Sequence, residues 1–527
     1  MASLRAAFSK WWAHVAILVP ALAVAAALRG LALSRVPGWY SDEGTALALA
    51  RSFLTQHHWD YLGVRDGMLM AARLPLFPWL LTVLSHFHPL DMTLARGAAV
   101  FLSLLTIALF YIWIWLNSHD RGWAAASVWI YAGLGWWVLY QRMAFSYHLG
   151  AALIMGSAIA LTRYFNKASR WWGAAAAVLI GLAACTDLAF WPFLLALFLL
   201  VLWHRPKDTL WMMVSGLLPL GVMLGALAVR SPWMLHDLTS LLWNTSQSLV
   251  PQLVLLILNF SVIGNVYLWW TLSQIGWLLA PRSRRIWGTA LVFWGIPWLF
   301  MARTRFMGGF GLYYQIPYWP YHAAGLGALL RYGLPWATQR LQHLLKGLFT
   351  RSPLDRVPSG LQHQIALWGS ALLLFALLLA GLTYEGAQAI EVLQGNFAGH
   401  IALALTPTHD AQQTIIYMRE HTQEDDLVVA SPALAWAMPG HATDFQITLA
   451  AMGKTTPFFP AGISRTRWLY ELRYPHAQYA VIDPIWRNWG VKTPSIRQMT
   501  VEIQTHWVPV AVFGAVTIYR NPNQPSR

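Results

Sequence analysis

Hydrophobic residues in this chain are grouped into long runs that short polar segments separate. An α-helix needs about 20 mostly apolar residues to cross the hydrocarbon of a bilayer, so the runs predict about eleven transmembrane helices. The predicted spans are residues 12–32, 95–116, 122–140, 146–165, 171–186, 188–203, 210–229, 262–280, 287–302, 314–331 and 364–383. The pattern indicates a mainly α, polytopic membrane protein.

The loops between these spans differ in their content of Lys and Arg. Short basic loops stay cytoplasmic, and the predicted spans place all the basic segments on one side. These segments are the N-terminus and residues 120–121, 167–170, 204–207, 282–285 and 331–356. We therefore predict a cytoplasmic N-terminus and an extracytoplasmic region after Thr383, in a bacterial cytoplasmic (inner) membrane.

Two further apolar stretches are not expected to cross. Residues 74–88 form a stretch of only about 14 residues, which covers roughly 21 Å against a hydrocarbon core of about 30 Å. Pro75 and Pro78 interrupt it. We predict a juxtamembrane helix on the outer face there, and a second one over residues 250–261.

The composition becomes mixed after Pro407. The pattern predicts a helix and four strands, and hence a small extracytoplasmic α/β domain. The predicted helix is residues 410–421, and the strands are residues 427–431, 479–483, 508–513 and 516–519. We divide the chain into a transmembrane catalytic domain, residues 1–384 with a first outer loop at 33–94, and a soluble domain, residues 385–527.

Composition and charge narrow the function classes. Hydrophobic residues make up 57% of the chain and charged residues 11%. The net charge of +15 is scattered between apolar runs, without the basic stripe of a nucleic-acid-binding protein. A single cysteine, Cys185, excludes an internal disulfide. Gly308 to Gly311 lack the spacing of a phosphate loop, which argues against a cytosolic nucleotide sugar as donor.

Asp42 and Glu43 are adjacent carboxylates just beyond the first span. A carboxylate near lipid is costly unless it is paired or functional, so both are candidate catalytic residues. An alternative is a helix N-cap, in which Ser41 or Asp42 begins a juxtamembrane helix.

Cations and aromatic residues are predicted on the same outer face. An arginine there can hold a phosphate through paired hydrogen bonds, although lipid-interface anchoring explains such residues equally well. The candidates for donor-phosphate binding are Arg73, Arg142, Arg303 and Arg305, and those for acceptor or donor contacts are Tyr40, Tyr147, His148, Tyr313 and His322.

These residue types together fit a sugar transfer. A base removes the proton of an acceptor hydroxyl or amine, and cations neutralise the phosphate that leaves the anomeric carbon. Asp42, Arg73 and Arg142 on one face supply both parts.

At these residues the chain resembles the GT-C superfamily, in particular bacterial relatives of protein O-mannosyltransferases and of lipid A aminoarabinose transferases, which are similar to glycosyltransferase family 39. The resemblance rests on Asp42-Glu43, on segment 73–79 with Arg73 before a proline-containing helix, and on Arg142. The sequence departs from the family pattern at Leu74, where a proline is common, and at Ala72, where an acidic residue or a histidine often precedes the basic residue.

The resemblance implies a hexosyl or pentosyl transferase that uses a polyprenyl-phosphate sugar. By resemblance, Asp42 is the general base, and Glu43 orients the acceptor or assists a metal. Family members differ in their need for a divalent cation, so a metal is an option rather than an implied cofactor. The acceptor is a lipid, glycan or protein.

Two other classes of function remain. A flippase or transporter of polyprenyl-linked sugars is expected to have mid-membrane charges and two related halves. The charged residue that best fits a transporter is Asp187, but its position between two closely spaced spans predicts a solvated turn residue instead. A non-catalytic envelope-assembly protein leaves the clustering of Asp42, Arg73 and Arg142 unexplained.

Overall fold

The computed structural model describes residues 2–246, 264–281, 288–298, 309–336, 383–396 and 401–525, with a few positions between 340 and 381. It is mostly helical and carries one sheet near the C-terminus. The helices that coincide with predicted spans are α1 (Ala2–Gly30), α4 (Met92–Ser118), α5 (Arg121–Gly133), α6 (Gly135–Gln141), α7 (Tyr147–Lys167), α8 (Arg170–Ala184), α9 (Trp191–His204), α10 (Thr209–Arg230), α12 (Gly264–Leu279) and α13 (Trp319–Ala328). Helices α2 (Ser41–Gln56), α3 (Leu76–Leu84) and α11 (Met234–Ser246) lie between them.

Three stretches of the described chain are long and apolar enough to cross a membrane: Trp11–Gly30, Met92–Ser118 and Pro206–Arg230. Two shorter apolar helical stretches, Arg170–Ala184 and Leu188–His204, follow the same pattern. The predicted total of about eleven spans and the predicted orientation stay predictions. Most of the last predicted span lies outside the described residues.

The third predicted span is broken rather than continuous. α5 ends at Gly133 and α6 begins at Gly135. The break frees backbone carbonyls inside the protein, and the fully buried Arg29 satisfies them: its guanidinium donates to Ala132 O at 2.8 Å and to Tyr131 O at 2.9 Å. A charged residue in α1 thus holds the bend of a neighbouring helix.

α3 is a short helix within residues 74–88, the stretch for which the sequence predicted a juxtamembrane helix. Its nine residues extend for only about 14 Å, which is too short to cross. Trp79, Val83 and Phe87 recur every fourth position and are exposed, so they form one apolar stripe along the helix and the turn after it. The second predicted interfacial helix, residues 250–261, lies outside the described residues.

The C-terminal region contains a five-stranded sheet of order β2-β1-β3-β5-β4. Its strands are β1 (Leu427–Ala430), β2 (His441–Asp444), β3 (Tyr479–Ile482), β4 (Val508–Phe513) and β5 (Val516–Arg520), and its helices are α14 (Thr408–His421), α15 (Pro432–Ala435), α16 (Phe445–Ala451), α17 (Pro484–Asn488) and α18 (Pro494–His506). β1, β2 and β3 are parallel, whereas β5 pairs antiparallel with both β3 and β4. The four predicted strands and the predicted helix are present, but β2 was not predicted, because four residues ending in Thr443 and Asp444 show no apolar alternation.

The carboxyl ends of the parallel strands face the first outer loop. Trp39 pairs with Thr406 through two backbone hydrogen bonds of 2.7 and 3.0 Å. A Cβ at Gly44 in α2 would lie 1.9 Å from Pro432 O in α15, so the two backbones touch. The C-terminal region is therefore docked directly on the helix that carries Asp42.

Candidate active site

Asp42 lies in the first turn of α2, the helix on which the C-terminal region is docked. Tyr40, in extended backbone conformation, is the N-cap residue of this helix and makes no side-chain cap. The Asp42 carboxylate is therefore not used as the helix cap. Its Oδ2 lies 2.6 Å from Arg73 Nη2, and a fifth of its side chain is exposed.

Arg73 is held between two carboxylates. Its Nη1 lies 3.7 Å from Oδ2 of Asp187, on the side away from Asp42. The backbone fixes the position of Arg73, because its N–H donates to Met68 O at 3.2 Å and the Leu76 N–H donates to Cys185 O at 3.3 Å. The second hydrogen bond attaches the first outer loop to the end of α8, just before Asp187.

Asp187 is a site residue, not the solvated turn residue that the sequence indicated. It is only 5% exposed. Its Oδ1 accepts the Ala189 N–H at 3.0 Å, and Ser146 Oγ lies 3.5 Å from its Oδ2. The turn between α8 and α9 is directed into the protein. Its direction depends on how α8 packs on α7, which the sequence alone does not reveal. The sequence contains one signal for this site residue, an acidic side chain between two apolar runs, but it does not identify the residues that surround it in the structure.

Burial and charge act in opposite directions on this group. Burial raises the pKa of Asp187, and the Arg73 guanidinium lowers it, with a net rise. Burial lowers the pKa of Arg73, but the neighbouring carboxylates of Asp42 and Asp187 raise it by a larger amount. The pKa of Arg73 therefore lies above its ordinary range. Arg73 is therefore a permanent cation.

A cavity opens beside the Asp42 and Arg73 side chains. It contains about 280 Å³ of empty space, part of which is open to solvent. Its lining consists of Asp42, Ala46, Arg73, Leu74, Phe77, Pro78, Phe145, Ser146 and Tyr147. Charge is concentrated on one wall, and the rest is apolar and aromatic, as in many small-molecule sites.

Aromatic rings continue from this cavity towards α13. Tyr313 stacks on Phe145 at 4.4 Å and on Tyr314 at 4.5 Å between ring centroids. Tyr40 meets Tyr313 at 6.0 Å, and Tyr147 meets Tyr314 at 5.1 Å. Three predicted contact residues, Tyr40, Tyr147 and Tyr313, are thus brought together, and Tyr314 joins them.

Glu43 is directed away from the cavity. It is fully buried, and Arg96 of α4 binds both of its oxygens, at 2.8 Å through Nε and 2.7 Å through Nη2. The N–H groups of Ala144 and Tyr40 also donate to it, at 2.8 and 3.3 Å. With both oxygens engaged, Glu43 has no face for an acceptor or a metal, contrary to the expectation from resemblance. Arg96 was missed, although an arginine inside an apolar span is a recognisable signal.

Arg142 and His148 are also placed differently from the prediction. The buried Arg142 guanidinium donates to three backbone carbonyls, Leu28 O in the last turn of α1 and Leu31 O and Val36 O in the loop after it, at 2.6 to 2.9 Å. Nε2 of His148 lies 3.1 Å from Met143 O and 3.2 Å from Tyr140 O. Both side chains fasten backbone rather than line the cavity.

The remaining predicted residues lie elsewhere. His322 is buried in α13, where its ring stacks on Trp270 at 5.6 Å, and it does not line the cavity. Arg303 and Arg305 lie outside the described residues. Across the described ranges, no group of three or more His, Cys, Asp or Glu side chains is placed to hold a metal ion.

Solved structures share this architecture. The ArnT structure from Cupriavidus metallidurans in the apo state matches with a TM-score of 0.59 and 15% identity, over 97% of this chain and 98% of that chain. The same protein bound to undecaprenyl phosphate matches with a TM-score of 0.55 and the same identity and coverage. The apo oligosaccharyltransferase of Archaeoglobus fulgidus matches with a TM-score of 0.57 and 15% identity, over 93% of this chain and 71% of that chain.

No protein-family model matches the sequence, and no curated protein matches it in a sequence search. The likeness to the solved structures shows that the chain has the fold of ArnT and of the oligosaccharyltransferase, which is the GT-C fold that the resemblance implied. Similarity to ArnT extends over almost the full length of both chains.

Proposed function

We propose that this protein is an integral membrane glycosyltransferase that moves a sugar from a polyprenyl-phosphate donor to an acceptor at the outer face of the membrane. The observation that carries the proposal is the pairing of Asp42 with Arg73 on the wall of a partly aromatic cavity. The GT-C fold supports it, as does the undecaprenyl phosphate bound in one structure of ArnT.

The reaction needs one proton transfer and one bond exchange at the anomeric carbon. Asp42 takes the proton of the acceptor hydroxyl or amine, and the acceptor atom attacks the anomeric carbon. The bond from that carbon to the phosphate oxygen breaks, and the polyprenyl phosphate leaves with the electron pair. Attack from the side opposite the phosphate inverts the anomeric configuration.

In the unliganded arrangement Asp42 is not yet a free base, because Arg73 already binds it. We infer that the donor phosphate replaces Asp42 on the guanidinium, since a phosphate accepts the same paired hydrogen bonds. Asp187, on the other side of Arg73, keeps the cation in place during the exchange. Donor binding then releases the Asp42 carboxylate for the acceptor.

Charge balance points to a further cation in the loaded site. Two carboxylates and the negative phosphate of the donor surround the single described guanidinium of Arg73. Like charges in a site of low dielectric repel strongly. We therefore propose Arg303 and Arg305 as further ligands of the donor phosphate. Both precede the segment that bears Tyr313, and a divalent cation is the alternative.

The aromatic residues suit the sugar. Tyr147 and Phe145 line the cavity, and flat apolar rings pack against the C–H faces of a sugar ring while phenol hydroxyls bind its hydroxyl groups. We assign Tyr147, with Tyr313 and Tyr314 behind it, to the sugar. The soluble domain, docked above Asp42 through Gly44, limits how an acceptor approaches.

The test is transfer of label from a panel of radiolabelled polyprenyl-phosphate sugars in proteoliposomes that also contain extracted envelope acceptors. Native protein is compared with Asp42→Asn, and Arg35→Gln, at an exposed arginine after α1, is the control. We expect transfer from at least one donor in the native and control proteins and not in Asp42→Asn. Translocation of the labelled lipid by both native protein and Asp42→Asn, without transfer, would support a flippase instead.

A further inference from the structure

A second cavity lies outside the Asp42 site, where the outer end of α10 meets the first outer loop. It contains about 420 Å³ of empty space, part of which is open to solvent. It is lined by His57, His58, Trp59, Asp66, Met68, Leu69, Leu227, Arg230, Ser231 and Met234. We call it the α10 groove.

The α10 groove has an apolar floor and a basic rim. Met68, Leu69 and Met234 on the floor are buried, whereas His57, His58 and Arg230 on the rim are exposed. A ligand with an apolar stem and a negatively charged head matches this division.

One acidic side chain belongs to the lining and is already engaged. His58 Nδ1 lies 3.9 Å from Asp66 Oδ1. The Asp66 backbone N–H donates to Asp60 Oδ1 at 2.7 Å. The Asp66 carboxylate is therefore engaged by His58. Arg230 remains as the permanent cation on the rim, and the His57 ring beside it is a further hydrogen-bonding group. The buried Ser231 hydroxyl has no hydrogen-bond partner among the described residues, and it supplies a polar contact.

The wall beside Met234 is rigid. Arg467 of the soluble domain binds both oxygens of Asp237 in α11, at 2.9 and 2.8 Å, and its guanidinium lies 5.2 Å from the centre of the Trp233 ring. The Arg467 guanidinium also donates to Asp66 O at 3.1 Å. These contacts shape the α10 groove before any ligand binds.

The surroundings of the groove are those of a membrane surface. Only 17% of the apolar window in Pro206–Arg230 is buried inside the protein, so this helix presents most of its surface to lipid. Next to the rim, Val229 and Leu235 are 89% and 64% exposed. An occupant of the groove therefore comes from the bilayer.

We propose that the α10 groove binds the phosphate headgroup of an outer-leaflet lipid whose head carries a net negative charge, with Arg230 and His57 on the phosphate and Met68, Leu69 and Met234 against the upper part of the chains. The floor residue Met68 also accepts the backbone N–H of Arg73, so the bound headgroup lies one loop away from the Asp42 cavity. A role of the α10 groove as the approach route of a lipid acceptor rests on the proposed function. Binding of the headgroup itself does not.

The experiment is native mass spectrometry of the full chain, titrated with dihexanoyl phosphatidic acid or with the phosphatidylcholine of the same chain length. We expect native protein to bind phosphatidic acid at least tenfold more tightly than phosphatidylcholine. Replacement of His57, His58 and Arg230 by Gln should abolish that preference. Arg230→Lys should keep it, because the charge remains, and the control Arg35→Gln should leave it unchanged.

Arg73→Gln separates the two sites. Retention of phosphatidic acid binding in that variant is the expected result, since Arg73 does not line the α10 groove. The proposal is overturned if the triple variant binds like the native protein, if both lipids bind equally, or if only Arg73→Gln loses binding. No sugar transfer enters this measurement, so its outcome is independent of the proposed activity.

Discussion

Two adjacent carboxylates, Asp42 and Glu43, receive different environments because successive helical residues point about 100° apart. Asp42 faces the cavity and Arg73. Glu43 faces the protein interior, where Arg96 neutralises it. One helix turn thus provides both the carboxylate that we propose as the base and the ion pair that fixes its backbone.

Substitution should separate these two roles. Asp42→Asn is expected to lower transfer by at least about a hundredfold, the low end for loss of a general base, and to leave the melting temperature near that of native protein, because Arg73 keeps Asp187. Glu43→Gln leaves Arg96 as an unpaired buried charge and should destabilise the fold by on the order of 3 kcal/mol. Transfer rates and thermal unfolding in detergent, measured on both variants, check this; equal loss of stability in the two would contradict it.

The arginines are distinguished in the same way. Arg73→Gln should weaken binding of polyprenyl phosphate at least tenfold, since each tenfold step requires only about 1.4 kcal/mol. Arg142→Gln should lower the unfolding temperature and spare binding, because Arg142 holds the carbonyls of Leu28, Leu31 and Val36. Binding is measured by native mass spectrometry. If Arg142→Gln lost binding while its unfolding temperature was unchanged, Arg142 would be a phosphate ligand after all.

At the scale of elements, the site depends on close approaches between backbones. α2 reaches α15 only because residue 44 has no side chain, and a Cβ there would overlap Pro432 O. The loop bearing Arg73 is tied to the end of α8 by one hydrogen bond from Leu76 to Cys185. Small shifts of these elements therefore move Asp42 relative to Arg73.

A methyl group at residue 44 tests the contact between α2 and α15. Gly44→Ala should force the two elements apart at a cost of about 1–3 kcal/mol, as overpacking does, and should lower transfer as well. Gly97→Ala in α4 is the matched control, because a Cβ there meets nothing within 4 Å. Limited proteolysis of the soluble domain and thermal unfolding report the effect; similar behaviour of the two variants would contradict the proposed contact.

Hydrophobic runs predicted the helices well, since burial of apolar residues in lipid needs no information about neighbours. The break between α5 and α6, which Arg29 satisfies, was not predictable, because its partners come from another helix. Asp187 was misjudged for the same reason. Local pattern identified Asp42 and Arg73, whereas the burial of Glu43 and Arg142 follows only from how the helices pack.

At the scale of the whole molecule, the C-terminal sheet region packs on the segment that carries Trp39 and on α2. Its parallel strands direct Asp444 and Asp483 towards the interface with the first outer loop. Asp483 Oδ2 accepts the Thr406 hydroxyl at 2.9 Å, and Thr406 pairs with Trp39. The sheet, the outer loop and the helix carrying Asp42 are therefore one connected unit.

This unit should have a measurable pH dependence. Burial raises the pKa of Asp444 from 3.8 to about 7, so the folded protein holds a proton that the unfolded chain releases between these values. Its contribution to stability is present at low pH, falls as the pH rises from about 4 to about 7, and is constant above that. Asp444→Asn should remove this part of the slope. Unfolding temperatures from pH 4 to pH 8 check it, and parallel curves for the two proteins would contradict it.

The central claim is that Asp42 performs the chemistry while Arg73 holds the donor, and both can be measured on one preparation. Asp42→Asn protein is assayed for polyprenyl-phosphate binding and, in the same proteoliposomes, for transfer from the active donor. The predicted result is binding at least as tight as in native protein, because Arg73 no longer has a charged competitor, together with loss of transfer. Transfer at the native rate by Asp42→Asn would contradict the account.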